Sequence, residues 1–388
     1  MKHTNGYSHH PCQQQLHNHV SRRDFLRMAG ITAAGLLVAS CKPNLETESP
    51  AVGNVVESGG SVAGSGTRYQ VAISKAASYD RDLVKNKVAE LIDKLGGLGD
   101  VISPGDTVAI KVNLTGGVSS AKVPGYTAMQ SFVTHPEVAR AMIEQVKAAG
   151  AKEIFIVEAV YEWASYTQWG YEEIAADTGV TLIDLNKPDP YNDYIERPVG
   201  ADEYIYDKFI FNPLLKDVDK FISISKLKNH YNAGVTHTMK NLYGLVPVRF
   251  YNLKPSDNYR SGFHGAANET RSRLPRVIMD LNRARKINFG LIDGIMTSEA
   301  GEGPWITTMT PVQPGVLLAG KNPVATDAVA TAVMGHDPTA EYPNTPFFRC
   351  DNHLNLAAGL GLGSNQLSQI DVLGSSIKDV VYHFTPCE

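Results

Sequence analysis

The chain has 388 residues, of which 43% are hydrophobic and 20% are charged. This length and composition allow a large buried core, so they exclude a small disulfide-stapled module and a largely disordered chain. The net charge is −4, and without the first 40 residues it becomes −7, from 32 basic and 39 acidic side chains. A mildly acidic chain lacks the basic stripe that neutralises phosphates, so we expect no nucleic-acid partner.

The N-terminal segment has the features of an export signal. Arg22 and Arg23 lie in the motif Ser-Arg-Arg-Asp-Phe-Leu, and an apolar stretch follows from Met28 to Ala39. About twelve apolar residues are too few to span a bilayer but suit the core of a signal peptide. The motif resembles a twin-arginine signal, so we expect the twin-arginine machinery to export the protein.

The apolar core ends in Val38-Ala39-Ser40-Cys41, which resembles a lipobox. In a lipobox the cysteine is lipidated, so residues 1–40 would form a cleaved signal peptide and Cys41 would anchor the protein to a membrane. The alternative is ordinary cleavage that leaves an unmodified thiol. Residues 41–67 are rich in Ser, Gly, Pro and Glu, which predicts a flexible linker. We therefore expect a lipid-anchored protein of the cell envelope, on its periplasmic or other extracytoplasmic side.

The four cysteines limit the metal chemistry of the chain. Cys12 lies in the expected signal peptide and Cys41 is the expected lipidation site, which leaves Cys350 and Cys387. Without a C-x-x-C pair, these two cannot build a cysteine zinc site or a four-cysteine iron–sulfur cluster within one chain. In an oxidising compartment they can form a disulfide, and two separate buried thiols are the alternative.

From Arg68 onward, short apolar runs alternate with helical patterns. Strands are predicted over 69–74, 106–113, 153–158, 181–184, 221–225, 287–293 and 315–319. Helices are predicted over 83–95, 134–150, 171–179, 236–243, 270–285 and 324–334. This alternation predicts an α/β fold with a largely parallel central sheet, helices on both faces and one large domain over residues 68–388. Ligands of such sheets bind beyond the carboxyl ends of the strands, so polar residues there are the first place to look for a site.

A set of motifs lies at these strand ends. They are Val108–Leu114, Val133–Val138, Ile224–His230, Gly234–Gly244, Ile292–Gly294, Gly301–Pro304, Asn322–Asp327 and Met334–Gly335. In this order the motifs resemble a bacterial and archaeal family known as domain of unknown function 362. The resemblance implies one α/β domain and no settled reaction. Some relatives carry a ferredoxin module with cysteine-ligated clusters, but this chain lacks those cysteines, so no such cluster is expected.

The strand-end motifs supply the candidate site. The expected substrate-binding residues are Lys111, Asn113, Lys228, Lys240 and Asn241, and the expected catalytic residues are His230, His264, Asp293 and Glu302. His237, Lys240, Asn241 and Gly244 would share one helix face, and backbone N–H groups at the start of that helix would join the lysines in binding a carboxylate, phosphate or sulfate. Solvated lysines on a loop are the alternative. Relatives often have an acid where this chain has Ala300, so Glu299 and Glu302 are both candidates for that acid.

A divalent metal is a further hypothesis for the same strand ends. The candidate ligands are His230, His237, His264 and Asp293, because imidazole and carboxylate suit Zn, Fe, Mn or Ni. No H-E-x-x-H spacing supports this site, and each histidine is alternatively a hydrogen-bonded structural residue. His135 is expected to start a helix, and Asp327 is expected either as an N-terminal helix carboxylate or as a site acid.

Two functional classes fit these features. The first is an exported, lipid-anchored enzyme that acts on an anionic small molecule, with a histidine or carboxylate that moves a proton, and with a metal or cofactor as an option. The second is a non-catalytic cofactor- or ligand-binding lipoprotein of the cell envelope. The chain has no P-loop and no G-x-S-x-G motif, and Gly359–Gly363 lacks the strand–helix context of a nucleotide loop. ATP-driven work and α/β-hydrolase chemistry are therefore not expected.

Overall fold

The computed structural model of the protein describes residues 68–119 and 122–387. Its strands are β1 (Tyr69–Lys75), β2 (Thr107–Lys111), β3 (Glu153–Glu158), β4 (Thr181–Asp184), β5 (Ile195–Pro198), β6 (Lys208–Phe211), β7 (Lys220–His230), β8 (Gly234–Val235), β9 (Phe289–Glu299), β10 (Thr310–Val312), β11 (Val316–Gly320) and β12 (Ile370–Gly374). Its α-helices are α1 (Arg81–Lys94), α2 (Pro136–Ala148), α3 (Ala164–Gln168), α4 (Tyr171–Thr178), α5 (Leu214–Asp217), α6 (Ser261–His264), α7 (Thr270–Ala284), α8 (Pro323–Val333), α9 (His353–Gly359) and α10 (Ile377–Val380). Three 3₁₀ helices are η1 (Lys240–Leu245), η2 (Val248–Phe250) and η3 (Leu367–Gln369). The predicted signal peptide with Arg22, Arg23 and Cys41, and the predicted linker, lie outside the described residues.

The central sheet has the strand order β12-β1-β11-β9-β7-β2-β3-β4. Neighbouring strands pair in parallel except on the two sides of β11, which is antiparallel to both β1 and β9. The short strands β8 and β10 add antiparallel pairs to β7 and β9, and β5 and β6 form a separate hairpin. The predicted largely parallel sheet is therefore confirmed.

Two hydrophobic layers lie on opposite faces of this sheet. Alternate strand residues point to opposite faces, so Val71 and Leu318 enter one buried cluster while Ala72 and Leu317 enter the other. Helices α7, α8 and α9 contribute to the first cluster, and helices α1, α2 and α4 contribute to the second. Helices thus cover both faces, as predicted for a single α/β domain.

Some element boundaries differ from their predictions at the edge of the sheet where the site lies. Strands β7 and β9 continue to His230 and Glu299, well beyond the predicted ends, and most of the polar side chains in these extensions are buried. The helix predicted over 236–243 is wrong: the helical turn is η1, which begins only at Lys240. His135 is the N-cap of α2, and its Nδ1 accepts the Glu137 N–H at 3.2 Å, which confirms its helix-start role.

The described cysteines are two buried free thiols, Cys350 and Cys387. Burial raises the pKa of each thiol to about 12, so both are protonated at neutral pH. Of the two alternatives for this pair, the structure has the separate thiols. None of the helices within residues 68–119 and 122–387 combines the length and the hydropathy of a transmembrane segment.

A buried ion pair joins β7 to β9. Lys226 Nζ lies 2.9 Å from Asp293 Oδ2, and neither side chain is exposed to solvent. The same ammonium donates to the Tyr79 hydroxyl and to the Met129 carbonyl oxygen, each at 2.9 Å. Asp293 also accepts the Tyr79 hydroxyl at 2.8 Å and the His135 N–H at 3.0 Å. Both charged groups therefore have their hydrogen-bond and ion-pair partners within the fold.

Lys226→Met tests how strongly this pair holds the sheet together. Removal of one partner leaves a buried carboxylate without its counter-ion, so we expect the free energy of unfolding to fall by about 3–5 kcal/mol. Urea unfolding of the full chain measures this change. The matched control is Lys220→Met on the same strand, where the side chain is 28% exposed and its ion pair is 3.9 Å long. A cost for Lys226→Met no larger than for this control would contradict the prediction.

Candidate functional site

A cavity of about 450 Å³ opens where β2, β3 and β7 end. The residues that line it are Lys111, Asn113, Leu114, Thr115, Gly116, Glu158, Ala159, Tyr161, Lys228, His230, Tyr231, Asn232, Thr236, Lys240, Asn241, Tyr243, Gly244, Asn258, Tyr259, Arg260, His264, Glu302, Trp305 and Ile306. The cavity thus lies beyond the carboxyl ends of parallel strands, where α/β sheets bind their ligands.

Most of the residues predicted for the site meet in this cavity. Those that line it are Lys111, Asn113, Lys228, His230, Lys240, Asn241, His264 and Glu302. Asp293 does not, because it is paired with Lys226 in the sheet. His237 does not either: it is fully buried, with Nε2 3.2 Å from the Met334 sulfur.

The predicted metal ligands do not form one centre. His230 and His264 line the cavity, whereas His237 and Asp293 lie in the packed interior. In the part of the chain that the structure describes, no group of three or more His, Cys, Asp or Glu side chains is placed to hold a metal ion. The residues present therefore do not fit the predicted metal site.

A second buried ion pair lies in the cavity wall. Lys111 Nζ is 2.8 Å from Glu158 Oε2, and both side chains are buried. The ammonium also donates to the Val112 carbonyl oxygen at 2.6 Å and to Asn241 Oδ1 at 3.2 Å. An ammonium has three N–H donors, so Lys111 has none left for a ligand. The prediction that Lys111 binds the substrate directly is therefore replaced by a role in positioning the cavity wall.

Gly244 makes room for this ion pair. A Cβ at Gly244 would collide with the Glu158 carboxylate and would lie 2.9 Å from Lys111 Nζ. The backbone of Gly244 has φ of −84°, which any residue adopts. The requirement for glycine here is therefore one of space.

Asn241 connects the end of β2 to the middle of β7. Its Nδ2 donates to Ser223 Oγ at 3.0 Å and to the Ile224 carbonyl oxygen at 3.2 Å. Its Oδ1 accepts from Lys111 Nζ and, at 3.1 Å, from Asn113 Nδ2. A carbonyl oxygen only accepts and an ammonium only donates, so these partners fix the orientation of both amides. Asn241 is therefore engaged by the protein, although it was predicted to bind the substrate.

Lys228 and Lys240 keep donors for a ligand. Lys228 Nζ donates to the carbonyl oxygens of Phe132 and Glu302 at 2.6 and 2.9 Å, which leaves one N–H. Lys240 Nζ lies 4.2 Å from the centre of the Tyr243 ring and has no hydrogen bond or ion pair with the described residues. Burial lowers the pKa of each of these lysines to about 7, and the charge of Glu302 opposes that shift.

Arg260 adds a third cation. It is 1% exposed, and its Nε donates to the Val246 carbonyl oxygen at 2.7 Å. No carboxylate of the described residues forms an ion pair with it. The acids of the cavity are Glu158, which is committed to Lys111, and Glu302. Positive charge therefore exceeds negative charge in the lining.

Glu302 is the acid of the Gly-Pro loop that reaches the cavity. Its Oε1 accepts from the Trp305 indole N–H at 2.9 Å, and its Oε2 accepts the Tyr231 N–H at 3.0 Å. Glu299 instead accepts the Thr385 N–H at 2.8 Å and does not line the cavity. Of the two acids left open by the sequence, Glu302 is therefore the one at the site.

The two histidines of the cavity are neutral at pH 7. His230 Nδ1 accepts the Asn232 N–H at 3.1 Å. His264 Nε2 lies 3.4 Å from the Tyr243 hydroxyl. Burial, assisted by the charge of Lys240, lowers the pKa of His264 to about 4 and that of His230 well below its ordinary value. His230 Nδ1 is occupied as an acceptor and its other ring nitrogen carries the hydrogen, so the His264 ring is the candidate base.

The predicted backbone anion site before η1 is wrong. The N–H groups of Thr238 and Met239 both donate to the Asp327 carboxylate at 2.9 Å, as does the Thr238 hydroxyl at 2.5 Å. Residues 236–239 are not helical, so His237 does not share a helix face with Lys240. Asp327 is neither the cap of its own helix nor a site acid, because it holds this turn in place.

Several cavity residues were missed from the sequence. Glu158 ends a predicted strand, so the strand-end rule would have selected it. Trp305 directly follows the Gly301–Pro304 motif, which was a second signal. Arg260 and Tyr243 had no comparable signal, because Arg260 lies where no element was predicted and Tyr243 is an ordinary aromatic residue within its motif.

Comparisons with known proteins give one family and two distant likenesses. A family profile described as domain of unknown function (DUF362) matches residues 108–332, which include the whole cavity lining. A thylakoid-associated protein of Synechocystis sp. is 26% identical over 269 residues, which are 69% of this chain and 75% of that protein. A crystal structure of a protein from Thermotoga maritima matches with a TM-score of 0.32 and 11% identity, over 64% of this chain and 57% of that one. The chain thus spans less than two thirds of that solved protein.

Gly244→Ala tests the packing of the cavity wall. The added methyl group must displace the Glu158 carboxylate, so we expect the free energy of unfolding to fall by about 1–3 kcal/mol, the usual cost of overpacking. The matched control is Gly99→Ala, where a Cβ would meet nothing within 4 Å. Urea unfolding of both variants measures the difference, and equal stabilities would show that the glycine is not required for space.

Proposed function

The chain belongs to the domain of unknown function 362 family, and we propose that it binds an anionic small molecule in the strand-end cavity and acts on it as an enzyme. The observation that supports this most directly is that Lys228, Lys240 and Arg260 lie in the lining without a carboxylate partner. A buried cation without a counter-ion is costly, so a bound anion would supply the missing charge.

Each cation has a distinct part in this proposal. Lys240 Nζ has all its donors available, Lys228 keeps one N–H, and Arg260 contributes a planar guanidinium suited to a carboxylate or phosphate. These three side chains hold the anionic group.

Proton transfer is the reaction step that the remaining groups support. The neutral His264 ring lies beside the Tyr243 hydroxyl in the cavity and can take a proton from the bound molecule. The His264 ring then carries this proton and can return it to another atom of the bound molecule.

We also propose that the protein is exported through Arg22 and Arg23 and anchored through Cys41. The support for this is the sequence pattern of residues 1–41, which lies outside the described residues. In this proposal the cavity acts on its ligand in the cell envelope, outside the cytoplasm.

Lys240→Gln tests the anion site. Sulfate is the probe, because its charge does not change near neutral pH. We expect the variant to bind sulfate at least about tenfold more weakly at about pH 6, since a charge-assisted hydrogen bond is lost. Isothermal titration calorimetry measures the affinity. The matched control is Lys254→Gln, an exposed lysine of the nearby loop that does not line the cavity; an equal loss in both variants would refute the assignment.

The pH dependence of sulfate binding gives a second test. Burial lowers the pKa of Lys228 and of Lys240 to about 7. A bound anion favours the charged lysines and raises these values, so affinity is full below about pH 7 and falls by up to about tenfold per pH unit per lysine above it. Calorimetry between about pH 6 and about pH 8.5 measures this slope. Affinity that is constant or increases over this range would contradict the proposal.

Cys41→Ser tests the anchor. We expect the wild-type protein to sediment with membranes and to carry a lipid on Cys41, and we expect the variant to lose both. Replacement of Arg22 and Arg23 by lysine should leave unprocessed precursor in the cytoplasm. Fractionation and mass spectrometry of the N-terminus measure these outcomes, and a membrane-bound Cys41→Ser variant of mature size would overturn the lipid assignment.

A further inference from the structure

The lining of the cavity is layered by depth. Its cations are buried, with Lys228 and Arg260 each 1% exposed. Two large aromatic side chains lie at its solvent-facing rim, where Trp305 is 44% exposed and Tyr259 is 43% exposed. A ligand whose charge reaches the cations therefore extends its remaining atoms past these two rings.

The ring of Trp305 is held in place although it is partly exposed. Its indole N–H donates to Glu302, and its ring makes an edge contact with Phe132 at a centroid distance of 5.9 Å. The chain passes close to the same ring at Gly116 and Gly303, where a Cβ would collide with it. An exposed aromatic ring that is fixed from several sides loses little freedom when a flat group stacks on it.

One residue of the cavity lining, Asn113, also has an acceptor without a donor. Because the partners of Asn241 fix both amide orientations, the Asn113 amide nitrogen faces Asn241 and its Oδ1 is left over. Asn113 Oδ1 is buried and has no hydrogen-bond partner among the described residues. The hydroxyl of Thr236, which also lines the cavity, is buried and unpartnered as well. Buried polar atoms of native proteins are nearly always paired, so a ligand donor is the natural partner here.

We propose that the ligand is a hydroxylated organic anion with a flat ring. This inference rests on the anion site proposed above. The anionic head, a carboxylate or a phosphate, contacts Lys228, Lys240 and Arg260. A hydroxyl close to that head donates to Asn113 Oδ1, and the ring lies at the rim against Trp305. A cavity of about 450 Å³ has the size of an organic small-molecule site and is far larger than an inorganic anion needs.

Four small acids separate these contributions. Acetate carries the charge alone, glycolate adds a hydroxyl, phenylacetate adds a ring, and mandelate, used as each enantiomer, carries both. Binding to the full chain is measured by calorimetry at about pH 6, with sulfate as the reference anion. We expect phenylacetate to bind roughly tenfold or more tightly than acetate. We expect glycolate to bind about two- to tenfold more tightly than acetate, and one mandelate enantiomer to combine both gains.

Variants test which residue causes each gain in affinity. The quantities compared are the affinity ratios of phenylacetate to acetate and of glycolate to acetate, because a general loss of folded protein does not change these ratios. Trp305→Ala should abolish the preference for phenylacetate over acetate and leave the preference for glycolate. Asn113→Ala should do the reverse. The control is Trp163→Ala, which removes a tryptophan that is also 44% exposed but does not line the cavity, and it should change neither ratio. Tyr259→Ala gives a second measure of the rim if Trp305→Ala does not fold.

The outcomes distinguish this inference from the proposal on which it rests. If sulfate or acetate binds but neither the ring nor the hydroxyl improves affinity in the wild-type protein, the ligand class is wrong and the anion site stands. If none of the five anions binds at about pH 6, both are wrong. If the wild-type preferences exist but survive Trp305→Ala, Tyr259→Ala and Asn113→Ala, the assignment to these residues is wrong.

Discussion

The buried ion pair of Lys111 and Glu158 is the constraint on which the site depends. The pair fixes the ends of β2 and β3 side by side. Asn241 and Gly244 of η1 pack against it. Two charges can be kept in the interior only where hydrogen bonds satisfy their donors and most of their acceptors. The wall of the cavity is therefore specified as one unit: a change at any of the four positions leaves the others without partners or without room.

The buried lysines divide into two kinds by the number of donors that the protein satisfies. Lys111 and Lys226 have all three N–H groups engaged, each with a carboxylate among the partners. Lys228 and Lys240 lack a carboxylate partner, and the pKa of each is lowered to about 7. The first kind is satisfied within the fold, whereas the second has donors that the described residues leave unused, which in the proposed function contact the anion. Residue type and position in a motif did not separate them, because each of the four lies in one of the motifs found in the sequence.

The sequence predicts the strands of the sheet well, but it predicts the hydrogen-bond and ion-pair partners of the polar residues poorly. The short runs 153–158 and 181–184 match β3 and β4 residue for residue. Alternation of side chains along β7 does not predict that Lys226 pairs with Asp293, because the register between β7 and β9 shifts between Lys226 and Lys228. That irregularity accompanies the pairing of Lys226 with Asp293 while Lys228 reaches the cavity. Arg260 enters from a loop whose path depends on tertiary packing, so local sequence carries no sign of it.

The order of the strands places the cavity in a crevice between the segments that leave β2 and β7. From β2 the chain proceeds outward through β3 and β4, and then it returns to place β7 and β9 on the opposite side of β2. The segments that leave β2 and β7 therefore diverge, and the crevice between them exists for topological reasons, whichever side chains occupy it. Its rim comes from residues 258–264 and 302–306, which contribute no strand to the sheet. In the proposed function, substitutions of exposed rim residues in these segments, such as Tyr259 and Trp305, change which molecule is accepted and leave the buried ion pairs of the sheet in place.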